Sequence, residues 1–292
     1  MQVSFIGLGT MGLPMAITLV GTGFQVTGFD LDPGACQRLE KAGGKVAAGA
    51  EEAMVSADIS VSMLPEGRHV RDVLNETTLG VLKSSTLLVD CSTIDVTSAQ
   101  ELAALATRHG HGFVDAPVSG GAEGAAAGTL AFMAGGAPDD LARARPLLEA
   151  MGAKVLHFGA AGSGQAAKAC HNMNCGITAL GVCEAFALAD GLGLDHGAFF
   201  DLCRNAAAQS WILENRCLVP GPAPEAPASN RYAPGFAARL MAKDLGLAQD
   251  AAQSCGQATP FGAEAARRFA EFAAGDGGDL DFSAIYRTIR EV

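Results

Sequence analysis

Basic residues are scarce in this 292-residue chain: 20 Lys and Arg stand against 31 Asp and Glu, for a formal net charge of -11. Nucleic-acid binding draws its affinity from basic surface that releases counterions, so no nucleic-acid partner is expected. A few placed lysines would still suit a small anion. Long apolar runs are missing too. None reaches, free of charge, the ~18 residues a membrane helix needs, and no membrane partner is expected. Eight cysteines occur, yet none forms a C-x-x-C pair and no Cys/His set has zinc spacing. No metal site is expected, and the thiols, mostly in Ala/Leu-rich stretches, read as small buried groups in a reducing compartment. The folded pattern begins at Val3, which leaves no room for a targeting segment; a cytoplasmic protein is expected. No repeat and no low-complexity tract beyond alanine richness is present.

What is there begins with composition. With 49% hydrophobic and 17% charged residues the chain reads as compact, and its length suits two domains. Gln2 to Ile6 is a short apolar run, followed at once by Gly7-Leu8-Gly9-Thr10-Met11-Gly12, a helical stretch from Leu13 to Gly21, a second apolar run from Gln25 to Phe29, and Asp30. Strand, glycine turn, helix, strand and acid form the context that gives G-x-G-x-x-G its meaning as a dinucleotide site. Gly7 permits the sharp turn, Gly9 lets backbone approach a pyrophosphate, and Gly12 lets helix and strand pack closely. The helix N-terminus offers N–H donors and a positive dipole end. A carboxylate at Asp30 accepts from a ribose 2′-OH and repels a 2′-phosphate. With Asp32 adding charge and no arginine adjacent in sequence, the expected cofactor is NAD rather than NADP.

The α/β alternation continues with strands expected over 57–63, 86–90, 112–115, 130–133 and 154–158. Helices are expected over 34–43, 67–76, 96–109 and 138–150, the last broken or kinked at Pro146. Ligands of open α/β sheets bind at the carboxyl ends of strands, where Leu64-Pro65, Ser92-Thr93 and Ser119-Gly120-Gly121 fall. The serine and two glycines form either a nest of N–H donors suited to a carboxylate or a plain glycine turn.

Past the middle, a glycine-rich turn at 159–164 runs into a proline-free stretch from Gln165 to Asp190, read as one helix of about 25 to 30 residues. Lys168 and Asn172, at i and i+4, share one face of it. An ammonium in apolar sequence is costly unless used. What Lys168 and Asn172 face is therefore the question that the rest of the chain must answer. From Asp195 onward the pattern is helical, with a packed Pro-rich loop over 220–234. Lys243 has no acid one turn away on its helix, and Asp244 at i+1 is not expected to face it.

Four separated motifs resemble those of the β-hydroxyacid dehydrogenases, in particular the bacterial 3-hydroxyisobutyrate dehydrogenase branch. They are Gly7 to Ala16; Asp115-Ala-Pro-Val-Ser-Gly-Gly121 with Gly128-Thr-Leu; Gly162-Ser-Gly-Gln-Ala-Ala-Lys168 with Asn172; and Lys243-Asp-Leu-Gly-Leu-Ala248. Gln209-Ser-Trp211 and Tyr232-Ala-Pro-Gly-Phe236 point to the same branch. The resemblance implies an α/β Rossmann-type N-terminal domain (1–163) binding NAD, a long helix (164–194), and an all-α C-terminal domain (195–292) for substrate and oligomerisation, as a homodimer or homotetramer. It implies Lys168 as acid/base and Asn172 as the residue that orients the substrate. Ser119, Gly120 and Gly121 would hold a carboxylate. Gly7, Leu8, Gly9, Thr10, Met11, Gly12, Asp30, Leu64, Pro65, Thr93 and Lys243 would serve the cofactor. The implied reaction is oxidation of a small hydroxyacid, 3-hydroxyisobutyrate to methylmalonate semialdehyde in valine catabolism. Tartronate or succinic semialdehyde reductases, and dehydrogenases of serine or 3-hydroxypropionate, keep the same core. His171 stands where the family usually has Asn, and Thr18, His69 and Ala206-Ala-Ala208 are further departures.

Overall fold

The structure, a computed structural model, describes residues 1–290. The chain divides into two compact units, Met1–Lys168 and Ala169–Val292.

The first unit is built on a nine-stranded sheet: β1 Gln2–Ile6, β2 Gln25–Phe29, β3 Lys45–Val46, β4 Ile59–Ser62, β5 Leu87–Asp90, β6 Gly112–Asp115, β7 Val118–Ser119, β8 Leu130–Gly136 and β9 Gly152–Gly159. The order is β3-β2-β1-β4-β5-β6-β8-β7, with β9 also on β8. Strands β1 to β6 pair in parallel, β8 runs antiparallel to β6 and β7, and β9 runs parallel to β8. The order reverses at β1/β4, the switch point where doubly wound sheets open a crevice. Alternating side chains feed two cores: Phe5, Leu87 and Val89 pack on one face, Ile6 and Leu88 on the other. Burial on both faces is what near-continuous apolar strands require.

Several local features depart from the sequence expectations. The helix expected over 67–76 is two, Gly67–Val73 and Glu76–Val81, because the Asn75 side chain accepts from the N–H groups of Thr77 and Thr78 and restarts the chain as an N-cap. Pro146 does not break its helix, which runs unbroken from Pro138 to Met151. Proline lies on the solvent side there, while Leu141, Ala144, Leu147, Leu148 and Met151 face the core and hold the helix in place. Of the cysteines only Cys91, Cys183, Cys203 and Cys217 are buried, while Cys170 and Cys255 are exposed.

The second unit is helical around its own core of Phe186, Phe200, Leu213, Met241, Leu245, Phe269 and Ile285. Its main elements are the helices His196–Arg204, Trp211–Arg216, Ala238–Ser254 and Pro260–Ala274. Buried Asp281 ties down the chain reversal near its end, accepting from Gly235, Phe236 and Ser283 N–H and from the Ser283 hydroxyl. Trp211 is 56% exposed, with the Arg216 guanidinium over its ring, so it is not a core residue. The long helix is Ser163–Gly191, 29 residues, about 43 Å at 1.5 Å per residue. Among the described residues no helix is long and apolar enough to cross a membrane.

Candidate active site

The glycine turn leaves β1 at Gly7, whose φ of 95° is open to glycine. A Cβ there would stand 2.3 Å from the Met63 carbonyl oxygen, and one on Gly12 would stand 1.9 Å from that of Gly7. Gly9 is different: a Cβ would meet nothing within 4 Å. Two glycines are therefore demanded by the protein's own packing, and the third faces open space at the mouth of the turn. No side chain caps the helix Gly12–Gly21 that follows, and its Leu13 N–H donates to the Gly9 carbonyl at 3.1 Å; the positive end of the helix suits an anion. These features fit a bound dinucleotide phosphate.

Asp30, at the end of β2, is tied into the turn: Oδ2 accepts from Leu8 N–H at 2.6 Å and Oδ1 from Asp32 N–H at 2.8 Å. A carboxylate oxygen accepts more than one hydrogen bond, so capacity for ribose hydroxyls remains. Asp32 does other work. It caps the helix Pro33–Lys41 through Gly34 and Ala35 N–H, and Arg38 lies 3.6 Å from it. No arginine is adjacent to Asp32 in sequence; in the fold Arg38, six residues on, stands beside it.

Polar groups converge at the ends of β4 and β5. Buried Asp90 accepts from the hydroxyls of Ser62 and Ser92, and Ser92 in turn accepts from Leu64 N–H at 2.9 Å. Leu64 is half-buried, Pro65 exposed and Thr93 half-buried. Gln165, on the long helix, accepts from Ile94 N–H at 3.1 Å and donates to the Ser92 carbonyl at 2.8 Å. Cys91 lies buried among them, and burial with the nearby Asp90 charge pushes its thiol pKa up, away from reactivity.

Lys168 is only 8% exposed, and its Nζ donates to the Val118 carbonyl at 2.8 Å. That carbonyl immediately precedes Ser119-Gly120-Gly121, where φ is 135° at Gly120 and 65° at Gly121. Both values lie in the region that favours glycine. The amine and the turn are thereby brought together within the first unit. The start of the long helix is anchored by Asp115, at the end of β6: Oδ1 accepts from Gly162 N–H at 2.7 Å and Oδ2 from Gln165 N–H at 2.9 Å. Burial raises the Asp115 pKa to about 6, against the lowering by these donors. Sequence reasoning assigned no role to Asp90, Asp115 or Gln165; acids closing apolar strands were the available signal for the first two.

In the second unit, Asn172 is 5% exposed and donates from Nδ2 to Asp244 Oδ2 at 2.5 Å. Its Oδ1 is 2.8 Å from His171 Nδ1, which must be the donor because the amide oxygen only accepts. Lys243 Nζ stands 3.5 Å from Asp244 Oδ1. The expectation that Asp244 would not face Lys243 is corrected: the flexible lysine stem brings the ammonium back to the adjacent residue. Asp244, 4% exposed, thus joins Asn172 and Lys243 and is the acid that sequence reading set aside.

The β1/β4 switch point, the glycine turn after β1 and a buried lysine beside the Ser119-Gly120-Gly121 turn mark an NAD-binding dehydrogenase. Residues 2–159 match the model of the NAD-binding domain of 6-phosphogluconate dehydrogenase, and residues 162–289 that described as NAD-binding of NADP-dependent 3-hydroxyisobutyrate dehydrogenase. The chain is 48% identical over 288 residues to a probable 3-hydroxyisobutyrate dehydrogenase of Mycobacterium tuberculosis, covering 99% of this chain and 97% of the relative. It is 42% identical over 288 residues to an NAD-dependent L-serine dehydrogenase of Pseudomonas aeruginosa, covering 98% and 97%. The solved structure of Mycobacterium tuberculosis 3-hydroxyisobutyrate dehydrogenase with L-serine superposes with a TM-score of 0.94 at 48% identity over 99% of both chains. The chain belongs to the β-hydroxyacid dehydrogenase family and is an NAD-dependent hydroxyacid dehydrogenase.

Proposed function

We propose that the protein oxidises 3-hydroxyisobutyrate to methylmalonate semialdehyde, a step of valine breakdown, using NAD in preference to NADP. The observation that carries the reading is the buried Lys168 amine held at Val118, one residue before the Ser119-Gly120-Gly121 turn. That spacing sets a proton acceptor next to a carboxylate nest, as a short hydroxyacid requires.

When bound, NAD supplies the hydride acceptor. Gly9, Thr10, Met11 and Gly12 would hold its phosphates through backbone N–H, with Gly7 and Leu8 shaping the turn, and Asp30 would take ribose hydroxyls. Leu64, Pro65 and Thr93 serve the nicotinamide side, and Lys243 is assigned to the cofactor as well. Ser119, Gly120 and Gly121 take the substrate carboxylate. Lys168 as the neutral amine removes the hydroxyl proton, and as the ammonium returns it in the reverse direction. Asn172, one helical turn on, orients the reacting groups.

A second reading, L-serine as substrate, is favoured by the Pseudomonas relative and by the L-serine of the Mycobacterium structure. Measurement of kcat/KM for 3-hydroxyisobutyrate, L-serine, 3-hydroxypropionate, 4-hydroxybutyrate and glycerate with both cofactors decides. The expected order has 3-hydroxyisobutyrate first by at least ~10-fold, the worth of one well-packed methyl group. L-Serine in first place transfers the assignment to the second reading, and equal use of NADP removes the role given to Asp30. A cytoplasmic homodimer or homotetramer belongs to the same proposal, with light scattering as its test of assembly.

A further inference from the structure

Gln165 is 1% exposed in the first turn of the long helix, and both ends of its amide are engaged. The two groups it grips, the Ile94 N–H and the Ser92 carbonyl, lie on either side of Thr93. Its own backbone N–H goes to Asp115. Lys168 follows at i+3, on the same side of the helix, with its amine on the Val118 carbonyl. One side chain therefore ties the backbone on both flanks of Thr93 to the turn that carries the buried amine. A primary amide of this length both accepts and donates there, whereas an ionised carboxylate lacks the donor and a thioether has no donor and accepts only weakly.

We infer that Gln165 is a positioning residue for hydride and proton transfer, its amide fixing the separation between the Thr93 segment and the Lys168 amine. The inference rests on the roles given above to Thr93 and Lys168. The brace acts through those two residues and itself touches neither substrate nor cofactor. Its value lies in geometry, because reacting groups must be held within a fraction of an ångström. The sequence spacing of Thr93 and Lys168, on separate elements, provides no such tolerance by itself.

The test compares wild type, Gln165→Met, Gln165→Glu and Lys168→Ala in the full chain. Its readouts are kcat, the dissociation constant of NADH by fluorescence, and the primary isotope effect with substrate deuterated at the carbinol carbon. For Gln165→Met the expected result is kcat lower by about 10- to 100-fold, NADH affinity close to wild type, and a larger isotope effect as hydride transfer becomes limiting. Gln165→Glu keeps the Ile94 bond and loses the Ser92 bond, so its kcat is expected between the two; it decides the matter alone if Gln165→Met does not fold. Wild-type kcat and isotope effect in the folded variants overturn the inference. A matched loss of kcat and NADH affinity with an unchanged isotope effect, the mark of general damage, overturns it too. Near-normal turnover in Lys168→Ala sinks the parent reading instead, which separates the two failures.

Discussion

Asp115 and Asp244 are both buried carboxylates, one in each unit, and each binds a residue near the start of the same long helix. Asp115 receives only backbone N–H groups, from Gly162 and Gln165. Asp244 receives the side-chain amide of Asn172 and has the Lys243 ammonium 3.5 Å away. The first acid fixes where a helix begins; the second fixes which way an amide points. Neutral dipoles alone do not offset the desolvation of Asp115, so its pKa rises to about 6. The two acids should accordingly separate in experiment, Asp115 acting on folding and Asp244 on turnover.

The largest effect bears on what these acids hold. Lys168→Ala is expected to lower kcat by at least ~100-fold with NADH binding preserved, measured by steady-state kinetics and fluorescence titration. If Lys168→Ala and Asn172→Ala lose activity equally, the distinction between proton acceptor and orienting amide collapses.

Next is the pH dependence of stability. The folded-state pKa of Asp115 lies above its ordinary value of 3.8. Between about pH 4 and 6 the folded protein therefore holds a proton that the unfolded chain releases, and the contribution of Asp115 to stability falls as pH rises through that window. A shift of roughly two units corresponds to about 3 kcal/mol. Urea unfolding of wild type and Asp115→Asn from pH 4 to 7 should show this slope only in the wild type. A parallel pair of curves would mean that Asp115 is as well solvated as an ordinary acid.

A smaller effect is expected at the other acid. Asp244→Ala leaves a buried amide without its acceptor, costing about 1–2 kcal/mol, and frees Asn172 to rotate, lowering kcat by about 10-fold. Thermal unfolding and kcat measured together test it. An unfolding shift with unchanged kcat would make Asp244 a structural acid like Asp115.

The parallel strands, the glycine turn and the long helix were legible because each is a local pattern: an apolar run, a glycine spacing, a proline-free stretch. The two-residue strands Lys45–Val46 and Val118–Ser119 were not, being too short for any period to register. Asn75 was a local signal that went unread inside an apparent helix. Candidate site residues were legible where they sit in a motif, as at Lys168 or Gly9. It was illegible where a residue acts through a partner far away in sequence: Gln165 with Ser92 and Ile94, Asp115 with Gly162, Asp244 with Asn172. Residue type announces that such a group needs a partner, and only the fold supplies which one.

The smallest effect concerns His171, where the family usually carries Asn. Its Nδ1–H donates to the Asn172 oxygen from an exposed position on the helix. If Asp244 alone orients the Asn172 amide, the histidine bond is an addition made in water, where a neutral hydrogen bond contributes about 1 kcal/mol or less. His171→Asn should then change kcat by less than about threefold at pH 8. A tenfold or larger loss at pH 8 would instead make His171 a partner of equal weight to Asp244. The second unit would then hold its amide from two sides, as the first holds its helix from Asp115 and Gln165.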